Sequence, residues 1–287
     1  LVAWHRYLTT RRDLTGSGLM SVVHPWESGM DNSPAWDPPL SRVAPVPAGE
    51  FTRRDLAHAA AADRPTDADY GRYVRLARDY RDAGYADALG VHGFAVEDPL
   101  CNAWLAAGED ALASIAAELG HDPRPHRAAA ARLTDALTAT LYDPAAASFL
   151  PRDARTGTLI RSYSVGGLLP LVVPGLPVAA DLVKTALSDR FRLLDACPLP
   201  SYDLTAHDHD PGRYWRGPGW INTSWLFWHG LRLHGEPSLA DDLRRRLLDR
   251  VRHAGFREYF DPLTGAGHGT DEFSWTAALT LDLLRTP

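Results

Sequence analysis

Apolar residues recur at every third or fourth position along much of the chain, the spacing that places them on one face of an α-helix. Leu239, Leu243, Leu247 and Val251 show it most clearly, because they lie four residues apart. Thr66 and Asp69 resemble a capping box, with Asp where Glu or Gln is usual. The pattern predicts helices over residues 1–12, 50–62, from Thr66 onward, 97–119, around 133–141, 166–173, 177–191, 220–234, 237–253 and 273–284.

Strand-like alternation is limited to residues 148–162. It surrounds a Thr156-Gly157 turn and predicts one short β-hairpin. Long loops rich in Pro, Gly and acidic residues occupy 12–47, 198–219 and 256–271. Helices joined in this way predict an all-α fold with its function on the loops.

Composition narrows the classes of function. The 287 residues are 45% hydrophobic and 23% charged, as in ordinary globular proteins. A net charge of -6 gives no reason to expect nucleic acid or an anionic membrane as a partner, and no apolar run is long enough to span a bilayer. Cys101 and Cys197 could form one bridge, but their apolar neighbours favour two buried thiols, so we expect a reducing, cytoplasmic location.

The loop His24–Asp37 concentrates possible chemistry. Its sequence, HPWESGMDNSPAWD, contains Trp26, Trp36 and the three acids Glu27, Asp31 and Asp37. Indole faces stack on sugar rings, and carboxylates bind hydroxyls or transfer protons. Alternatively, the acids cap helices and the tryptophans belong to the core. The density of both residue types favours a sugar site.

Hydrolysis of a glycosidic bond needs a second carboxyl group, about 6.5–9.5 Å away for inversion or about 5–5.5 Å for retention. Glu258, in GFREYFDPLTG (255–265), is the candidate, and the segment FSWTAAL with Trp275 follows it. Alternatively, Glu258 pairs with Arg257 or a helix end. Nearby rivals are Asp261, Asp271, interpreted as a helix N-cap, and Glu272, interpreted as a first-turn acid.

A third stretch, YWRGPGWIN (214–222), has the residue types of a sugar pocket. Trp215 offers a stacking face, Arg216 offers a planar fork of donors, and Gly217 permits close approach of the backbone to a ligand. Trp220 and Trp225 could serve the core or the pocket. His207 and His209 lie two residues apart in a loop that we interpret as solvated, so we expect no metal site.

Together these three stretches resemble glycoside hydrolase family 63, especially its bacterial branch acting on mannosylglycerate and glucosylglycerate, and related trehalases. The resemblance implies an (α/α)6 toroid and an inverting hydrolase of a small α-glucoside or α-mannoside that needs no cofactor. It places the general acid on Asp31 and the general base on Glu258. The substrate-binding residues that we expect are Trp26, Glu27, Gly29, Asn32, Trp36, Tyr214, Trp215, Arg216, Gly217 and Trp275.

A toroid of this kind needs twelve helices, and about eight are convincing here. The resemblance therefore implies that residues 1–287 form a single, partial catalytic barrel domain. We therefore expect the N-terminal hairpins to be absent, the chain to be weakly active alone, and either self-association or a further segment to complete the ring. Two other functions stay open. An epimerase would need facing histidines, and an inactive carbohydrate-binding protein would keep the tryptophans.

Overall fold

Helices form most of the molecule. The computed structural model describes residues 1–57 and 60–285. Within this part of the chain the α-helices are α1 (Val2–Arg11), α2 (Asp37–Leu40), α3 (Asp67–Asp82), α4 (Pro99–Glu118), α5 (Arg124–Leu141), α6 (Ala179–Leu187), α7 (Ile221–Leu233), α8 (Pro237–Ala254) and α9 (Ser274–Arg285). None of them combines the length and the apolar composition that crossing a bilayer demands.

The helix ends follow local chemistry. The predicted capping box at α3 is confirmed: the Asp69 amide donates to Thr66 Oγ1 at 3.2 Å, and the Thr66 amide donates to the Asp69 carboxylate at 3.3 Å. At α4, the Asp98 carboxylate accepts from the Cys101 amide, and Pro99 occupies the first turn. α4 packs against α5, and α7 packs against both α8 and α9, around one large buried core.

Two predicted helices are wrong. The described part of 50–62 contains only short 3-10 turns, Ala48–Glu50, Asp55–Ala57 and Ala61–Asp63. Its alanines favour a helix locally but offer too little apolar surface to hold one against the core. Residues 166–173 form the 3-10 turns Val165–Gly167 and Leu169–Val172, because Gly166, Gly167 and Pro170 disfavour a regular α-helix.

The short strands are more numerous than predicted. The expected hairpin is confirmed as β4 (Arg152–Asp153) paired with β5 (Thr158–Leu159), and β1 (Val96–Glu97) extends this sheet beside β4. Two further antiparallel pairs overturn the prediction of a single hairpin. They are β2 (Tyr142–Asp143) with β3 (Ser148–Phe149), and β6 (Tyr259–Phe260) with β7 (Gly267–His268).

A single residue, Asn102, ties α4 to the N-terminal loop. Asn102 is fully buried. Its side chain accepts from the Met20 amide at 2.8 Å and donates to the Met20 carbonyl at 2.9 Å. The side chain therefore substitutes for a backbone partner of the loop that leads to Asp31.

Candidate active site

Asp31 lies in a tight turn between the 3-10 helices Pro25–Ser28 and Pro34–Trp36. Its backbone carbonyl accepts a hydrogen bond of 2.6 Å from the Tyr73 hydroxyl on α3. The preceding carbonyl, that of Met30, accepts one of 2.7 Å from the Trp36 indole. Side chains from two elements therefore hold the backbone that carries the Asp31 carboxyl group.

Glu258 immediately precedes β6 and is 5% exposed. Its Oε2 accepts from Arg64 Nη2 at 2.9 Å and from the Thr270 amide at 3.0 Å, while its Oε1 accepts from Arg64 Nη1 at 3.3 Å. Gly269 passes so close that a Cβ atom there would lie 2.5 Å from Oε2. The glutamate is thus oriented by a guanidinium on one side and a loop on the other, rather than by Arg257.

Arg64 contacts Glu258 and a tyrosine, and its charge also acts on Asp31. Its guanidinium carbon lies 4.5 Å from the centre of the Tyr214 ring. Tyr214 has a φ of +44°, a left-handed conformation that is uncommon outside glycine and is often found at functional sites. The charges of Asp31, Arg64 and Glu258 all act on the Tyr214 hydroxyl, so the four side chains lie near one another.

The Asp31 carboxyl group is in an unusual electrostatic environment. Its pKa is raised from 3.8 to about 6, chiefly by burial and also by the carboxylates of Asp55 and Glu258, while its own amide and Arg64 oppose the rise. No cation among the described residues forms an ion pair with it. A carboxyl group in this setting retains its proton at weakly acidic pH.

The tryptophans divide into buried and exposed pairs. Trp36 is 1% exposed, and Trp215, 2% exposed, stacks on Trp220 with ring centres 4.1 Å apart, so neither offers a free face to a sugar in this structure. Trp26 is 48% exposed and packs edgewise against Tyr70 and Tyr73. Trp275 is equally exposed, on α9, where it contacts Phe273.

The other predicted binding residues have structural contacts. Glu27 accepts from Arg12 Nη2 at 2.5 Å and from the Val23 amide at 2.8 Å. Gly29 ends a 3-10 turn with a φ of +71°. A Cβ atom at Gly217 would lie 2.5 Å from the Asp210 carbonyl oxygen. Asn32 and Arg216 contact each other at 3.4 Å, and Arg216 also pairs with Asp37.

The alternative chemistries find no support in the arrangement of side chains. His207 has a side chain that is 98% exposed, whereas the His209 Nε2 atom is buried, so the two do not face one another across a pocket. Among the described residues, no group of three or more His, Cys, Asp or Glu side chains could hold a metal ion. Cys101 and Cys197 are both free thiols.

Arg64 and Tyr73 were not singled out from the sequence. Arg64 lies in an Asp-Arg-Pro segment between predicted helices, and Tyr73 lies within the helix predicted from Thr66 onward. An aromatic residue on an amphipathic helix gives no local sign that its hydroxyl reaches a loop 42 residues away.

Comparison with known proteins accounts for nearly the whole chain. The family of mannosylglycerate hydrolase MGH1-like glycoside hydrolase domains matches residues 1–276. The chain belongs to this family. The resemblance stated from the sequence motifs is therefore confirmed.

Two family relatives and one solved structure give the extent of the similarity. Mannosylglycerate hydrolase of Rubrobacter radiotolerans is 38% identical over 292 residues, which is 99% of this chain and 66% of the relative. That of Thermus thermophilus is 41% identical over 98% of this chain and 68% of the relative. The chain thus spans about two thirds of the length of these proteins.

The solved structure is that of a glycoside hydrolase family 63 mannosylglycerate hydrolase, also from Thermus thermophilus, in complex with Tris and D-glycerate. It superposes with a TM-score of 0.88 at 39% identity, and the match covers 99% of this chain and 69% of the other. This agreement confirms the toroid class of helical fold predicted for this member of the MGH1-like family.

Proposed function

We propose that this chain carries the catalytic machinery of an inverting glycoside hydrolase whose general acid is Asp31 and whose general base is Glu258. The observation that supports it is the contrast between the two carboxyl groups. Burial favours the protonated form of Asp31. Glu258, in contrast, forms an ion pair with the guanidinium of Arg64 through two hydrogen bonds. Two acids in one site with opposed environments are typical of an acid and base pair.

The reaction follows from these roles. Asp31 donates its proton to the glycosidic oxygen as the bond from that oxygen to the anomeric carbon breaks. Glu258 accepts a proton from a water molecule that attacks the anomeric carbon on the opposite face. One C–O bond breaks and another forms, and the configuration at that carbon inverts. Arg64 and the Thr270 amide orient Glu258 towards this water.

For the substrate we propose a small α-mannoside or α-glucoside of the glycosylglycerate type. The relatives that this chain resembles are named mannosylglycerate hydrolases. Tyr214 and the exposed Trp26 add aromatic surface suited to a sugar ring.

The test is to incubate the purified protein with mannosylglycerate, glucosylglycerate and trehalose and to measure the sugar released. Asp31→Asn and Glu258→Gln should each lower kcat by about 10³-fold or more while the circular dichroism spectrum stays unchanged. Asp271→Asn is the matched control, because that acid lies near Glu258 in sequence but pairs with Arg257 at the surface. A carboxyl variant that keeps native turnover, or sugar binding without product, contradicts the proposal.

We also propose that an apolar face beside α1 is covered in solution, by self-association or by further polypeptide. Trp4 and Trp104 are 58% and 53% exposed, and they border a cavity of about 470 Å³. Exposed apolar surface of this kind favours association. Sedimentation of the wild type and of Trp4→Glu tests it.

For the location of the protein we propose the cytoplasm, supported by the two free thiols.

A further inference from the structure

Arg216 is almost fully buried, and its guanidinium has two partners within the protein. It is 8% exposed. Its Nη2 donates to Asp37 Oδ1 at 2.5 Å, and its Nε donates to Asn32 Oδ1 at 3.4 Å. Arg216 also borders a cavity of about 330 Å³ with Asp37, Asp69 and Arg72, and neither Asp31 nor Glu258 lines that cavity.

Both partners of Arg216 belong to the loop that carries Asp31. Asn32 is the next residue, 2% exposed, and Asp37 begins α2 six residues after the acid. The Asn32 Nδ2 atom is buried without a partner. In the part of the chain that the structure describes, the bond from Arg216 is therefore the only side-chain hydrogen bond that Asn32 makes.

Arg216 itself is anchored on a second loop. Its amide donates to the Arg213 carbonyl at 2.8 Å, and its carbonyl accepts from the Asp210 amide at 2.9 Å. The next amide, that of Gly217, donates to Ser201 Oγ at 3.1 Å. Because the backbone of Arg216 is held by these hydrogen bonds, its planar guanidinium couples the position of this second loop to that of the loop that carries Asp31.

We propose that Arg216 is a positioning residue for the general acid. By holding Asn32 and Asp37, it fixes where the Asp31 carboxyl group meets the leaving oxygen. It complements two other contacts to the same turn, from the Tyr73 hydroxyl to the Asp31 carbonyl and from the Trp36 indole to the Met30 carbonyl. Three consecutive residues, 30 to 32, are thus each held by a different side chain. This inference rests on the proposed hydrolase function, and it replaces the sugar-binding role expected for Arg216.

A positioning role predicts a dependence on the leaving group. An alkoxide such as that of glycerate is a poor leaving group and needs the proton of Asp31, whereas fluoride leaves a glycosyl fluoride with little protonation. A misplacement of the acid by about 1 Å can lower the rate by about 10²-fold. That loss should appear with the glycoside and be much smaller with the fluoride of the same sugar and anomeric configuration.

The experiment compares Arg216→Lys with Arg213→Lys on both substrates. Lysine keeps the charge but cannot reach both Asn32 and Asp37 as a fork does. Arg213 borders the same cavity and serves as the matched control, since it is not among the side chains that hold Asn32 and Asp37. For Arg216→Lys we expect kcat on the glycoside to fall by about 10²-fold with KM changed less than about threefold, and the fluoride rate to fall less than about fivefold. Arg213→Lys should match the wild type.

Asn32→Ala provides a second variant, because it removes the same contact while leaving the Arg216–Asp37 pair intact; it decides the question if Arg216→Lys does not fold. Equal losses on both substrates with a raised KM, or no loss at all, would overturn the positioning role. Asp31→Asn separates this result from failure of the hydrolase proposal. If Asp31→Asn hydrolyses the fluoride but not the glycoside while Arg216→Lys and Asn32→Ala behave as wild type, only the positioning role fails.

Discussion

Arg64 and Glu258, which are 194 residues apart in sequence, form a two-pronged ion pair with N–O distances of 2.9 and 3.3 Å. Both side chains are less than a tenth exposed. The pair joins the segment before α3 to the segment before β6, and Arg64 acts electrostatically on Asp31 as well. The guanidinium therefore interacts with both members of the proposed acid and base pair.

The protonation of Asp31 predicts the pH dependence of turnover. Since the acid must hold its proton and its pKa is raised to about 6, kcat/KM should fall as the pH rises above about 6. The Asp55 carboxylate contributes to this raised pKa by repulsion, so Asp55→Asn should move the alkaline limb to lower pH. Asp67→Asn is the control, because Asp67 also pairs with Arg53 but is not among the groups that act on Asp31. An unmoved limb in Asp55→Asn contradicts the assignment.

The raised pKa of Asp31 also predicts that its ionised carboxylate lowers the stability of the folded protein. In the folded protein the pKa of Asp31 lies above its unfolded value of 3.8, so the folded state binds a proton more strongly, and the burial penalty is present above about pH 6 and absent below about pH 4. Asp31→Asn should raise the free energy of unfolding by about 1–3 kcal/mol at pH 8. Urea denaturation at pH 8 and pH 4 checks this. A variant less stable than the wild type at pH 8 is the opposite result.

The close approach of Gly269 to Glu258 predicts that a side chain at position 269 impairs the general base specifically. The φ of Gly269 is +68°, and a Cβ atom would lie 2.5 Å from Glu258 Oε2 and 2.8 Å from Glu258 Cβ. Gly269→Ala should therefore displace Glu258 and lower kcat by at least about 10²-fold. Gly175→Ala is the matched control, because Gly175 has the same φ and nothing within 4 Å of its would-be Cβ. It shares the backbone strain of about 1–2 kcal/mol and should keep its turnover.

Asn102 predicts a loss of stability without a specific catalytic role. Asn102→Ala leaves the amide and the carbonyl of Met20 without their side-chain partner in a buried position. We expect the free energy of unfolding to fall by about 3 kcal/mol. Ser114→Ala, on the exposed side of the same helix, should change it by less than about 0.5 kcal/mol. Equal unfolding midpoints for the two variants would disprove the bridging role of Asn102.

Helices were predictable where large apolar residues repeat. The pattern at Leu239, Leu243, Leu247 and Val251 predicted 237–253, and α8 spans Pro237–Ala254. The alanine-rich segment 50–62 shows the limit, because small side chains satisfy helix propensity without providing a face to bury. The extra β-pairs were also missed, since two-residue strands are too short to alternate detectably.

The sequence predicted the candidate site residues that lie in recognisable motifs, but not the partners that the fold brings to them. Asp31 and Glu258 could be chosen by residue type, loop and resemblance, but Arg64 could not, because its partner is distant in the chain. An indole that stacks on a sugar and one that packs in the core have the same sequence signature. The burial of Trp36 and Trp215 depends on which neighbours the fold brings to them.

The most direct measurement is the anomeric configuration of the first sugar released, followed by proton NMR during hydrolysis of the α-glycoside before mutarotation. If Asp31 protonates the leaving oxygen while Glu258 activates water on the other face, the β-anomer appears first and the α-anomer accumulates later. First release of the α-anomer would mean that a carboxylate attacks the sugar directly, and would contradict the roles assigned to Asp31 and Glu258.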